Sequence, residues 1–180
     1  MPGMRSGTSG GFLLRGLVAG AIGAWVMDRT TWMLQDRQKR QAIRQEREAW
    51  PDRLDVSHAL GYKLAATAGL PVAKDQPSTL GMTTHYLLSI GPAMLYAAVR
   101  ERGLHFAADR GLLYGFLIFI LWDEALSAAV GVAGPPAQYP WQAHLRGLVG
   151  HLALGVATHV ALTALETDFN RRPIGTHPGA

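Results

Sequence analysis

The 180-residue chain contains no cysteine. That excludes a disulfide framework, a thiolate metal site and a cysteine nucleophile. Charge is scarce as well: Asp, Glu, Lys and Arg make 17% of the residues, against roughly 25% in soluble domains. There is no H-E-x-x-H, so the zinc-protease spacing is missing. There is also no G-x-x-x-x-G-K-[ST] and no strand–glycine turn–helix context, so the 21 glycines make no nucleotide fingerprint. What is present is apolar. A hydrophobic content of 48% is too high for a disordered chain, and the length suits one domain.

The mean hydropathy of +0.08 conceals a sharp partition. Residues 1–75 hold 18 of the charges and 166–180 hold 4, leaving 8 for the stretch 76–165. Charge-free runs cover Gln76–Val99 (24 residues), Gly111–Trp122 (12), Ala125–Leu145 (21) and Gly147–Leu165 (19). A membrane-spanning helix needs about 20 predominantly apolar residues. Spans are therefore expected at 80–99, 111–132 and 146–165. A fourth is expected at 12–28, where Arg15 can snorkel to the interface and Trp25 and Trp32 suit an interfacial belt. The expected architecture is an all-α, polytopic membrane protein of four transmembrane helices forming a single membrane domain, 1–180. A polar, partly helical connection, 29–79, joins the first two spans. A soluble four-helix bundle is the competing reading, but it needs charged outer faces that three of these helices lack. Phe12–Met27 also reads as an uncleaved signal-type anchor, since no clear A-x-A site follows it.

Within the connection, Gln35–Glu48 has high helix propensity and alternating charge, with Asp36/Arg40 and Arg44/Glu48 at i,i+4. It reads as a polar extension of the first span. Its sharper alternative is an anionic-lipid patch on Arg37, Lys39, Arg40, Arg44 and Arg47, weakened by interleaved acids. Pro51 ends that helix or starts the next, Leu54–Gly69 suits a shorter surface helix, and Pro71 and Pro77 bracket a loop. The short loops set orientation. Arg100–Arg110 carries three Arg and the tail carries Arg171 and Arg172, whereas Ala133–Ala143 carries no basic residue. Both termini are thus expected in the cytoplasm, although the nine Lys/Arg of Asp28–Thr79 pull the other way.

Polar groups inside spans are functional candidates by default. In the second span His85, Ser89, Pro92 and Tyr96 form one helical stripe. The third carries Asp123-Glu124 near its midpoint, and Asp123 continues through Ser127 and Gly131. In the fourth, His144, His151, Gly155, Thr158, His159 and Leu162 fall within an arc of about 100°. By depth, His85, His151 and Asp123/Glu124 converge toward one side of the membrane, with His144 at the mouth. Imidazole beside carboxylate relays protons, binds a divalent metal, or joins helices as a hydrogen-bond network; all three stay open here. Gly16-x3-Gly20-x3-Ala24 and Gly111-x3-Gly115 are small-residue faces for packing within the chain or for a homo-oligomer. The sequence pI of about 9.8 follows from inside-positive loops and requires no nucleic-acid partner.

The second half of the chain carries T-T-H-Y-L-L-S-I (Thr83–Ile90), R-G-L-L-Y-G (Arg110–Gly115) and W-D-E (Trp122–Glu124). It continues with G-P-P-A-Q-Y-P-W (Gly134–Trp141) and H-L-R-G-L-V-G-H (His144–His151). Over roughly residues 55–165 this resembles the YagU-like family of small bacterial inner-membrane proteins. The resemblance implies an inner-membrane location and aligns His85, Asp123, Glu124, His144 and His151 with the family's polar positions. It brings no catalytic role and no cofactor. The expected function is a non-enzymatic, multi-pass envelope protein with the lipid bilayer as its surroundings and a polar cluster that organises the bundle or an interaction. The alternatives are a small transporter or proton/metal-handling protein using that cluster, and a membrane-embedded metalloenzyme.

Overall fold

The computed structural model describes residues 11–71, 78–102 and 110–171, and every regular element among them is helical. Four helices are long: α1 (Gly11–Gln35), α4 (Thr79–Glu101), α5 (Leu112–Ala129) and α6 (Trp141–Arg171). Two short ones lie between α1 and α4, namely α2 (Arg40–Ala49) and α3 (Val56–Thr67). Single turns at Pro51–Arg53 and Pro136–Gln138 complete the framework. Helix α1 packs between α4 and α6, α5 packs on α6, and α3 lies on α4.

Three of these helices are long and apolar enough to cross a membrane: α1, α5 and residues 141–167 of α6. Their outward surfaces carry Leu14, Trp25, Leu121 and Val160, all more than half exposed. Apolar surface on that scale is what lipid covers and water does not. Helix α4 has 23 residues, ample length for a span, but Thr83, Thr84, His85, Ser89 and Pro92 dilute its apolarity. It runs unbroken through Pro92.

Small residues set the spacing of the helices. Gly16, Ala19, Gly20, Gly23 and Ala24 are the buried positions of α1. A Cβ on Gly16 would come 2.6 Å from the Met94 backbone, and one on Gly23 would come 2.3 Å from Thr158 Oγ1. The α5–α6 seam is as close. Gly111 starts α5 at φ +89, and a Cβ there would stand 2.2 Å from the Gly155 carbonyl oxygen, so both conformation and space demand glycine. Both small-residue faces are thus filled by helices of the same chain.

Two expectations are corrected. The stretch Gln35–Glu48 does not extend the first span as one helix. A turn at 36–39 separates α1 from α2, in which Ala42, Glu46 and Ala49 are buried. Arg146 on α6 holds Glu46 as an ion pair, which seats α2 against α6. The third span is also shorter than 111–132: it ends at Ala129, and Gly131 turns the chain at φ +72. Asp123 and Glu124 therefore lie just past the centre of the helix. The expected loop containing Pro77 and the tail with Arg172 fall outside the described residues.

Candidate functional site

Helices α4 and α6 begin on the side where α1 and α5 end, and on that side the described residues line a half-open cavity of about 360 Å³. His85, Asp123, Glu124, His144 and His151 all lie on its wall. The structure thus brings the five residues singled out by sequence to one space, but in separate pairs.

The carboxylates of α5 take different imidazoles on α6. Glu124 Oε1 is 2.6 Å from His144 Nδ1, while Asp123 Oδ2 is 3.5 Å from His151 Nδ1. On a regular helix adjacent residues point about 100° apart. Here Phe119–Leu126 is a π-helix, a local widening often found at functional sites. Both Asp123 and Glu124 reach the cavity wall from it.

His144 is held at both nitrogens. Nε2 lies 3.0 Å from the Pro136 carbonyl, which can only accept, so Nε2 carries a proton. Nδ1 faces the Glu124 carboxylate. A hydrogen bond there needs one further proton, shared between Nδ1 and Oε1. His151 is more buried, and its Nδ1–H donates to the Gly147 carbonyl one turn back at 2.9 Å. Its approach to Asp123 is a charge contact at 3.5 Å.

His85 on α4 meets a partner from the first span, with Nε2 2.9 Å from Asp28 Oδ1. The approach is at ion-pair distance but outside hydrogen-bond alignment. Its Nδ1 lies 3.5 Å from Ser57 Oγ on α3, at the limit of a hydrogen bond.

Residues of the connection complete the wall and were not anticipated as site residues. Asp55 caps α3 by accepting from the His58 amide. The Asp55 carboxylate also accepts from His58 Nδ1 at 2.9 Å, and His58 Nε2 accepts from the Ser78 amide at 3.0 Å. The amide fixes the tautomer, because Nε2 must be the acceptor. A Cβ on Gly81 would lie 2.1 Å from the His58 ring, so glycine lets α3 seat against α4. The D-x-x-H spacing at a helix start was the available signal. From α2, Glu46 pairs with Arg146, which also donates to Gln38 Oε1. Tyr139 ties the α5–α6 loop to α2: its hydroxyl accepts from the Gly134 amide and donates to the Ala49 carbonyl. Burial raises its phenol above the ordinary range, with the Gly134 hydrogen bond opposing.

The remaining polar stripe runs to the opposite end. Tyr96 and His159, which the helical arcs grouped with the cluster, face each other at 2.9 Å beside Arg100. Arg100 grips both oxygens of Glu166, at 3.2 and 2.6 Å.

Among the described residues no three His, Asp or Glu side chains come together as metal ligands. No family model matches the chain, and no curated protein or solved structure matches it.

Proposed function

We propose that this is a four-span protein of a bacterial inner membrane, with both termini cytoplasmic and kinship to the YagU-like proteins. In this reading it has no enzymatic activity, and its polar cluster organises the bundle for a structural or interaction role in the envelope. One observation carries the reading: four of the pairs on the cavity wall join two different helices. Asp28–His85 links α1 to α4, Asp123–His151 and Glu124–His144 link α5 to α6, and Glu46–Arg146 links α2 to α6. Hydrogen bonds and ion pairs between helices hold bundles together in lipid, where apolar surface gives no drive to associate. Self-association through the glycine faces is the weaker part of the reading, because α4 and α6 already fill those faces within one chain. Melting temperatures in detergent test the proposal. Asp28→Asn, Glu124→Gln and Asp123→Asn are each expected to lower the melting temperature, and three unchanged values would remove it. A C-terminal reporter fusion is expected to report a cytoplasmic side.

A second reading has its own observation, the 2.6 Å contact between His144 Nδ1 and Glu124 Oε1. A proton-handling protein uses such a pair as a relay. Proteoliposome proton flux above that of empty vesicles, lost in Glu124→Gln, would favour it over the structural role.

A further inference from the structure

We propose that the cavity binds a small organic cation. At about 360 Å³ it sits at the small end of the roughly 300–1,000 Å³ typical of small-molecule sites. That volume suits an alkylamine or a compact quaternary ammonium. Five aromatic side chains line it: Trp32, Trp50, Phe119, Trp122 and Tyr139. Ring faces attract cations through their quadrupole, most strongly where water is excluded.

The charge of the wall has the complementary sign. Asp28, Glu46, Asp55, Asp123 and Glu124 all lie on it. The one Lys or Arg among the lining residues is Arg146, already bonded to Glu46 and Gln38. The wall therefore carries five carboxylates and one guanidinium.

Glu46 supplies an independent observation. It is 7% exposed, and while one carboxylate oxygen accepts from Arg146, Oε2 is buried with no hydrogen-bond partner. Arg146 already brings a positive charge to the first oxygen. The second still lacks a donor, which is costly for a buried carboxylate oxygen, and an alkylammonium N–H or the hydroxyl of a compact quaternary ammonium would supply one. A bare divalent ion fits less well, since no three carboxylate or imidazole ligands converge among the described residues. Dispersed carboxylates with aromatic walls suit a charge that carries apolar substituents. The inference goes beyond the network reading, because the pairs join the helices whether or not a ligand enters.

Choline and its uncharged carbon isostere, 3,3-dimethylbutan-1-ol, test it on the full chain in dodecyl maltoside at constant ionic strength. Equilibrium dialysis reads binding directly, and quenching of tryptophan fluorescence reports the cavity. Saturable choline binding is expected, with the isostere at least tenfold weaker. Glu46→Gln is expected to weaken choline at least tenfold, and Glu48→Gln, on the exposed face of α2, to leave it unchanged. If Glu46→Gln does not fold, Trp122→Leu serves instead, with the same tenfold loss expected. No saturable choline binding, equal binding of the isostere, or undiminished binding in the cavity variant would overturn the proposal. Choline binding alongside unchanged melting temperatures in the pair variants would uphold the ligand site and remove the network reading alone.

Discussion

At one end of the bundle Arg15 meets Glu101, and Arg100 holds Glu166 with a two-pronged grip beside Tyr96 and Tyr114, whose rings stack at 4.7 Å. At the other end, carboxylates meet imidazoles around a cavity of about 360 Å³. A guanidinium keeps its charge at any physiological pH and fits a carboxylate in a fixed geometry. An imidazole gains or loses its proton near neutrality. The first end is therefore a clamp, and the second is where the number of protons and the content of a cavity can change. Both ends join α4 and α6 to their neighbours, so the contrast lies in the chemistry of the contacts.

Breaking the most buried pair gives the largest expected effect. Arg146→Ala leaves Glu46 enclosed and unpaired, and the loss should be about 3–5 kcal/mol by denaturant unfolding in detergent. A loss below about 1 kcal/mol would mean that α2 does not depend on this pair. Packing comes next. A Cβ on Gly155 would stand 2.2 Å from the Gly111 carbonyl oxygen, so Gly155→Ala should part α5 from α6 at a cost of about 1–3 kcal/mol. At the clamp, Arg100→Lys loses the two-pronged contact to Glu166 and should cost about 1.5 kcal/mol. An effect as large as that of Arg146→Ala would erase the distinction between the ends.

Tyr139→Phe removes the hydrogen bonds to Gly134 and Ala49 and should cost about 1 kcal/mol. Because burial raises the phenol in the folded chain, an unfolded tyrosine ionises first. The native advantage over Tyr139→Phe should hold below about pH 10 and shrink above it. Unfolding curves at pH 8 and pH 10.5 check the sign. Ser57→Ala is the smallest: its contact with His85 is at the limit of a hydrogen bond, so a change within about 0.5 kcal/mol is expected.

The long helices were legible because a helix that faces lipid carries little charge, and sparse charge marks α5 and α6, which hold only Asp123, Glu124 and Arg146 before Glu166. The convergence of His85, Asp123, Glu124, His144 and His151 followed from depth alone, since rise per residue and alternation of direction place them on one side. Three features did not follow. The π-helix at Phe119–Leu126 is a departure from regular hydrogen bonding that no periodicity in that stretch announces. The placement of α2 rests on contacts between residues far apart in sequence, Glu46–Arg146 at 100 positions and Ala49–Tyr139 at 90. His58 looked like part of a surface helix, yet Gly81 leaves the space that buries it. The last two depend on contacts between elements, which the pattern within one element does not encode.

The central claim is that the imidazole–carboxylate pairs couple helices across the cavity. A double-mutant cycle on Glu124→Gln and His144→Gln, with unfolding followed in lipid nanodiscs, measures that coupling directly. A coupling energy between about 0.6 and 1.7 kcal/mol is predicted, the range found for polar contacts between helices in membranes. Additive effects of the two substitutions, with coupling indistinguishable from zero, would contradict it.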